Sequence, residues 1–255
     1  MSFYILSDLH TDYAKSIEDI PEYLSPWLMD ADNLIVAGDI STNFDATVET
    51  LKYLGSVYEN VYWVPGNHDY VPCENVVKNC HSFEYMEMLK KACSFSNVHC
   101  LDGTVKNSIG GTCGAYDFSY AEKHFGINRK IMLKEWENWY DGYKWKVNSY
   151  DEFQQNQNTK MEKLFNKNIP EIIVTHIGAK AEDIKNEFHN ENTGFFYFDG
   201  TSYLDKMKNG YWIYGHTHDR HIMKHNDVTL LCNPLGYSGD NKADRKELEK
   251  FVFQI

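Results

Sequence analysis

The 255-residue chain has the composition of a globular protein with a substantial core, because 42% of its residues are hydrophobic and 24% are charged. That length fits one large domain or two small ones. Acidic residues outnumber basic ones by 37 to 25, and the net charge of −12 disfavours a general nucleic-acid binder, since an acidic surface repels the phosphate backbone. A small phosphorylated substrate remains compatible, because bound divalent cations would invert the local field.

The N-terminus and the cysteines indicate a cytoplasmic protein. The first ten residues, MSFYILSDLH, have neither the basic start nor the apolar run of a secretory signal. No stretch approaches the roughly 20 apolar residues that a membrane span requires. The six cysteines form no CxxC pair, and we expect free thiols instead of disulfides. We therefore predict a soluble cytoplasmic protein without a membrane partner, and the oligomeric state is left open.

Short apolar runs, each followed by small or polar residues, predict buried strands. Segments with helical spacing of apolar residues lie between several of these runs, and the alternation predicts an α/β fold. The predicted strands cover residues 3–6, 34–37, 61–64, 172–174, 211–214 and 228–231, with an edge strand at 251–255. The predicted helices cover residues 45–58, 83–93 and 161–165.

An aromatic-rich stretch at about residues 116–160 interrupts this alternation. Its apolar spacing around Ile131, Trp136 and Trp139 is helical. We expect a helical, cap-like insertion within a single domain of residues 1–255. Two interpretations of its aromatic residues stay open: they fix the insertion onto the body of the protein, or one or two of them face a ligand.

Five polar clusters each follow a predicted strand. Ligands of open α/β sheets bind at the carboxyl ends of the strands, so these five loops should converge. Glycines at positions 38, 66 and 215 suit the sharp turns that such loops need. The clusters are Asp8-Leu9-His10, Gly38-Asp39, Gly66-Asn67-His68-Asp69, Thr175-His176 and Gly215-His216-Thr217-His218.

The metal-binding side chains in these clusters are too many for one tetrahedral zinc, and their number suits two ions that share a carboxylate. Imidazole, carboxylate and amide ligands without a thiolate suit Mn²⁺, Fe or Zn²⁺. The candidate ligands are Asp8, His10, Asp39, Asn67, His176, His216 and His218.

The series D-x-H, G-D, G-N-H-D, H and G-H-x-H resembles the calcineurin-like metallophosphoesterase family, from residue 3 to about residue 237. One block alone would be weak evidence, whereas five in the family's order, each behind a strand, are specific. The resemblance is weakest across the aromatic insertion. It implies an α/β/β/α sandwich of two mixed sheets and metal-dependent hydrolysis of a phosphomonoester or phosphodiester.

The resemblance also implies a role for each residue. His68 would be the catalytic histidine that assists the leaving group, and Asp69 would be structural. One cation would be held by Asp8, His10, Asp39 and His218. The other would be held by Asn67, His176, His216 and, again, Asp39.

Physical chemistry supports this division of roles. Two cations about 3.5–4 Å apart can hold a hydroxide between them, lower the pKa of its parent water and bind the phosphoryl oxygens. Asp39 has the two oxygens that a shared ligand needs. Acid assistance by His68 would typically contribute about 10²–10⁴-fold to the rate.

Three alternatives concern the substrate and the activity. The aromatic insertion favours a nucleotide substrate, because bases stack on aromatic rings. A DNA nuclease of the same family would need a basic groove, and the chain has no cluster of lysine and arginine. A catalytically silent scaffold of the same fold should lack one or more ligands, and all seven are present.

Overall fold

The computed structural model describes residues 1–74, 76–77, 79–166, 168–181 and 189–255, which include every candidate site residue. Its strands form two mixed sheets. The strands are β1 (Ser2–Leu6), β2 (Asn33–Ala37), β3 (Asn60–Val64), β4 (Val98–Cys100), β5 (Thr104–Lys106), β6 (Ile109–Thr112), β7 (Ile172–Thr175), β8 (Gly210–Tyr214), β9 (His221–His225), β10 (Val228–Cys232) and β11 (Val252–Gln254).

The first sheet has the order β11-β1-β2-β3-β4. Strands β1 to β4 are parallel, and Phe3 pairs with Asn33 and Leu34 with Val61. Parallel strands covered on both faces read as continuous apolar runs, which explains why β1, β2 and β3 were recognisable in the sequence. The C-terminal strand β11 joins β1 in antiparallel orientation, so the predicted edge strand is confirmed.

The second sheet has the order β5-β6-β7-β8-β10-β9. Its central strands β6, β7, β8 and β10 are parallel, and the hairpin strands β5 and β9 close its edges in antiparallel orientation. The two sheets face each other where β3 packs on β6 and β7. Gly111 allows this approach, since a Cβ at this position would lie 2.6 Å from Val64.

Helices cover the outer faces, so the layers follow the predicted α/β/β/α order. Helix α2 packs on the first sheet and α7 on the second. The helices are α1 (Ile20–Leu24), α2 (Phe44–Val57), α3 (Ser82–Ala92), α4 (Ser119–Phe125), α5 (Arg129–Trp136), α6 (Tyr140–Lys144), α7 (Tyr150–Phe165), α8 (Thr201–Leu204) and α9 (Arg245–Leu248). In the part of the chain that the structure describes, no helix combines the length and the hydrophobicity of a transmembrane span.

The sequence prediction missed strands β4, β5, β6 and β9. Strands β4 and β5 have three residues each, and β6 reads Ile-Gly-Gly-Thr, so none of them has a recognisable apolar run. Strand β9 reads His-Ile-Met-Lys-His and is largely polar at a sheet edge. The helix predicted at residues 161–165 is only the last part of α7, because the polar residues that precede it carry no clear apolar spacing. All six cysteines are free thiols, as predicted.

The aromatic-rich insertion packs onto the body through a buried cluster of rings. Phe153 of α7 lies 4.1 Å from Trp145 and 5.0 Å from Tyr70 between ring centroids, and it stacks on Phe83 of α3. Position 160, where we placed the end of the insertion, falls inside α7. The insertion therefore shares its core with the helices of the first sheet.

Replacing this shared core residue tests whether the chain unfolds as one domain. We expect Phe153→Ala to lower the free energy of unfolding by about 3–5 kcal/mol, because it removes a ring that is 1% exposed and leaves a cavity. Urea unfolding should remain a single transition when it is followed by both tryptophan fluorescence and circular dichroism. A separate early transition in fluorescence would instead identify the insertion as an independent folding unit.

Candidate metal centre

All five polar clusters meet at one edge of the sandwich. The loops after β1, β2 and β3 of the first sheet face those after β7 and β8 of the second. The structure brings the seven candidate ligands together, and six of them fall into groups whose donor atoms lie within 4.8 Å of one another. These groups are Asp8, His10 and His218; His10, Asp39 and His68; and Asp39, His176 and His216.

Asp39 lies between the two outer groups. Its Oδ2 is 3.3 Å from Nε2 of His176 on one side and 3.9 Å from Nε2 of His10 on the other. The side-chain oxygen of Asn67, the seventh candidate, is 2.9 Å from the same Nε2 of His176. On the opposite side, Nε2 of His218 is 3.1 Å from Nε2 of His10 and 3.5 Å from Oδ1 of Asp8.

The backbone that carries these side chains is strained. A non-glycine residue with positive φ costs energy, and such residues concentrate at functional sites. Five of the seven candidate ligands have φ between 42° and 69°. They are Asp8, His10, Asp39, His216 and His218.

Hydrogen bonds between the loops hold this backbone in place. The carboxylate of Asp8 accepts the backbone N–H of His216 at 2.9 Å, and that of Asp39 accepts the N–H of His68 at 2.9 Å. The carboxylate of Asp69 accepts the N–H groups of Gly66 and Ile40 at 2.8 and 3.2 Å. Asp69 therefore ties the loop after β3 to the loop after β2, in agreement with a structural role.

The three motif glycines mainly allow neighbouring groups to approach the backbone closely, and only one of them has a backbone conformation that favours glycine. Only Gly38 has a positive φ, of 85°. A Cβ at Gly66 would lie 2.1 Å from Oδ1 of Asp39, and a Cβ at Gly215 would lie 2.7 Å from Oδ2 of Asp8. The structure thus requires glycine at positions 66 and 215 for the room it leaves to the carboxylates, and not for a positive φ.

Buried charges shift the pKa values of this cluster in opposite directions. Burial raises the pKa of Asp8, but the hydrogen bond and charge of His218 outweigh burial and lower the pKa to about 2. Burial alone would lower the pKa of His176, but the nearby carboxylate of Asp39 outweighs burial and the pKa rises to about 9. In the same way, the carboxylate of Asp8 outweighs burial at His218 and the pKa of that imidazole also rises to about 9. His216 faces fewer compensating contacts, so burial lowers its pKa to about 3. The two carboxylates thus draw positive charge into the cluster.

The hydrogen-bond partners show that divalent cations fit this donor set. Nδ1 of His176 lies 2.8 Å from the carbonyl oxygen of Ala37 and carries a proton, so Nε2 is the nitrogen that faces the oxygens of Asn67 and Asp39. With a pKa of about 9 the ring holds a second proton on Nε2 at neutral pH, and a bound cation would take the place of that proton. His10 and His218 likewise face each other through ring nitrogens. Two acceptor atoms that face each other in this way repel unless an extra proton or a cation lies between them. Nε2 of His216 lies 3.1 Å from the carbonyl oxygen of Phe195, which leaves Nδ1 for a cation.

His68 stands beside the cluster, at the wall of a cavity of about 480 Å³. Its Nε2 is 3.9 Å from Oδ2 of Asp39 and 3.4 Å from the hydroxyl of Tyr237. Its ring stacks on Tyr140 with a centroid separation of 4.4 Å. Trp139 and Phe196 line the same cavity, and Trp139 stacks on Phe195 beneath it. Two aromatic residues of the insertion, Trp139 and Tyr140, therefore face the site, while most of the others pack in the core.

Sequence reasoning missed three residues of this region. Asp240 contacts Nδ1 of His218 at 2.8 Å, and Asp141 accepts a hydrogen bond from the side chain of Asn67. Tyr237 reaches the cavity because the N–H of Gly236 donates a hydrogen bond to the carbonyl oxygen of Asp8. No local signal marks Asp141 or Asp240, since each is a single acid far from the motifs. Tyr237 ends the sequence Asn-Pro-Leu-Gly-Tyr at positions 233–237, whose proline and glycine are typical of a turn and give no sign of a site residue.

Two stacked sheets with buried imidazoles and carboxylates at their strand ends define a metallohydrolase by class. The sequence profile of the family described as calcineurin-like phosphoesterase matches residues 1–220. The chain belongs to this family, because that match covers most of its length.

The chain is similar to individual proteins at low sequence identity. The chain is 26% identical over 273 residues to Uncharacterized protein L509 of Acanthamoeba polyphaga mimivirus, covering 91% of this chain and 90% of that protein. It is similar to the crystal structure of phosphopantetheinyl hydrolase from Mycobacterium tuberculosis, with a TM-score of 0.77, 18% identity and coverage of 100% and 95% of the two chains. The protein TT1561 of Thermus thermophilus gives a TM-score of 0.54 at 10% identity, with coverage of 91% and 88%.

Proposed function

We propose that this protein hydrolyses phosphoesters with the help of two divalent cations that share Asp39. The position of Asp39 carries the proposal, because its Oδ2 faces His176 on one side and His10 on the other, at 3.3 and 3.9 Å. A carboxylate with imidazoles on both sides suits two cations better than one.

The ligand assignment follows the two groups around Asp39. Mixed nitrogen and oxygen donors without a thiolate favour Mn²⁺, Fe or Zn²⁺. The cation on one side would be held by Asp8, His10, Asp39 and His218. The cation on the other would be held by Asn67, His176, His216 and Asp39.

When bound, such a pair of cations would supply a water of lowered pKa and positive charge for the phosphoryl oxygens. His68 lies at the cavity wall, where its Nε2 can give a proton to the departing ester oxygen. The stacked ring of Tyr140 and the hydroxyl of Tyr237 hold the imidazole in that direction. The apolar rings of Trp139 and Phe196 would exclude water from the same space.

Substitution of Asp39 and of His68 separates metal binding from proton transfer. We expect Asp39→Asn to lower metal content and activity together, because it removes the shared carboxylate. His68→Ala should keep the metal content and lower kcat by about 10²–10⁴-fold. Elemental analysis and turnover of bis-p-nitrophenyl phosphate with added Mn²⁺ measure both quantities. Equal loss of metal in the two variants would contradict these roles, and absence of turnover with any metal would favour the scaffold alternative.

The charges that line the cavity favour a phosphodiester over a phosphomonoester. Among the described residues that line it there is no lysine or arginine, whereas Asp219 and Asp240 are present. A phosphomonoester carries a second negative charge at neutral pH, and apart from the histidines, of which His218 is paired with Asp240, the described lining offers no basic side chain to bind that charge. Trp139 and Tyr140 offer apolar surface for the second ester arm of a diester.

A matched pair of substrates tests the choice of ester. Methyl p-nitrophenyl phosphate and p-nitrophenyl phosphate share a leaving group and differ by one charge. We expect kcat/KM to be about tenfold or more higher for the diester. A higher kcat/KM for the monoester would overturn the assignment.

A nucleotide remains the substrate that the aromatic wall favours among small phosphorylated molecules. Stacking of a base on an aromatic ring contributes about 1–3 kcal/mol. The acidic surface and the cavity without lysine or arginine among its described lining residues argue against the DNA-nuclease alternative.

Tryptophan fluorescence tests this preference through Trp139. Titration of the metal-loaded protein with nucleotides should quench the fluorescence, and Trp139→Phe should largely abolish the quenching while base stacking on the remaining ring persists. Trp139→Ala should weaken binding by about tenfold or more, because the stacking surface is lost. No quenching by any nucleotide would remove the support for a nucleotide substrate.

We also propose that the protein acts in the cytoplasm. The proposal is supported by its six free thiols, because oxidising compartments favour disulfides in exported proteins.

A further inference from the structure

Asp141 is a buried acid that the catalytic scheme above does not use. It lies in α6 of the aromatic insertion and is 0% exposed. Its Oδ1 accepts a hydrogen bond from Nδ2 of Asn67 at 2.8 Å, and its Oδ2 accepts one from the hydroxyl of Tyr116 at 3.0 Å. A buried carboxylate is costly unless it is hydrogen-bonded, so this pair of contacts stabilises its position.

The contact with Asp141 determines which end of the Asn67 amide faces the metal centre. An asparagine side chain has a donor end and an acceptor end, and only the oxygen can bind a cation. A carboxylate accepts but does not donate, so the NH₂ group of Asn67 must turn towards Asp141. The amide oxygen then lies 2.9 Å from Nε2 of His176, on the side of the centre.

The insertion also holds the main chain of Asn67. Nε1 of Trp145, at the end of α6, donates a hydrogen bond to the carbonyl oxygen of Asn67 at 2.8 Å. The same short helix therefore fixes both the position and the amide orientation of one candidate ligand. This contact joins the aromatic insertion directly to the metal centre.

We infer that Asp141 is a positioning residue, which presents the amide oxygen of Asn67 to the cation on the His176 and His216 side. The inference rests on the proposed function. Without an acceptor at position 141, the amide would lose its preference between two orientations, one of which directs NH₂ at the cation. Partners that orient a metal ligand typically contribute about 10–100-fold to metal affinity.

Three variants distinguish an effect on the orientation of the Asn67 amide from an effect on packing alone. Asp141→Leu keeps a similar volume and removes the acceptor. Asp141→Asn keeps one, because its amide oxygen can face Asn67 while its NH₂ faces the hydroxyl of Tyr116. Tyr116→Phe is the matched control, since it removes the other hydrogen bond of the same carboxylate and leaves the contact with Asn67.

Titration calorimetry with Mn²⁺ on the metal-stripped protein, together with thermal unfolding, measures the effect. We expect two binding events in the wild type. Asp141→Leu should weaken one of them by about 10–100-fold and leave the other unchanged. Asp141→Asn and Tyr116→Phe should both stay within a few-fold of the wild type, even where their unfolding temperatures fall.

The outcomes distinguish this inference from the function on which it rests. Two events of wild-type affinity in Asp141→Leu would overturn the role of Asp141 alone. A wild type that binds fewer than two cations would overturn the dinuclear proposal. If Asp141→Leu does not fold, side-chain NMR of the wild type tests the inference instead. The side-chain amide protons of Asn67, assigned by the loss of their signals in Asn67→Asp, should exchange slowly with water. Rapid exchange would overturn the inference.

Discussion

The negative charge of two buried carboxylates must be compensated at the edge of this sandwich, and the surrounding loops bring imidazoles next to them. Asp8 and Asp39 are at most 1% exposed, and the positive charge that balances them must come from neighbouring imidazoles or from cations. His176 and His218 respond with raised pKa values, which shows how strongly the cluster favours cations. A cluster whose imidazoles take up protons to balance two buried carboxylates is suited to binding divalent metals.

The backbone around this cluster is strained where it brings the carboxylates so close to the imidazoles. Strained residues at the ends of β1, β2 and β8 turn successive side chains towards one point, and cross-loop hydrogen bonds to Asp8, Asp39 and Asp69 keep them there. The parallel strands beneath are rigid and largely buried, so they can support strained loops at their ends. The glycines next to the ligands are required because a Cβ would collide with the carboxylates.

The aromatic insertion serves the fold and the site at once. Phe153 and Trp145 bury large rings against the body, which stabilises the insertion and fixes α6 in place. Because α6 is fixed, Trp139, Tyr140 and Asp141 occupy defined positions at its start. The first interpretation that the sequence left open is therefore confirmed for Phe153 and Trp145, and the second stays a prediction for Trp139 and Tyr140, which line the cavity.

The parallel strands with continuous apolar runs and the donor residues behind them could be predicted from the order of the amino acids. Apolar runs of parallel strands are continuous, and a ligand motif directly behind such a run is a local pattern, so Asp8, Asp39 and His176 could be found from that pattern alone. The short or polar strands β4, β5, β6 and β9 became visible only in the folded chain, because their pairing depends on neighbours and not on their own residues. Asp141 and Tyr237 were likewise placed by the fold, since single residues far apart in the chain become partners of a ligand or a cavity only when packing brings them together.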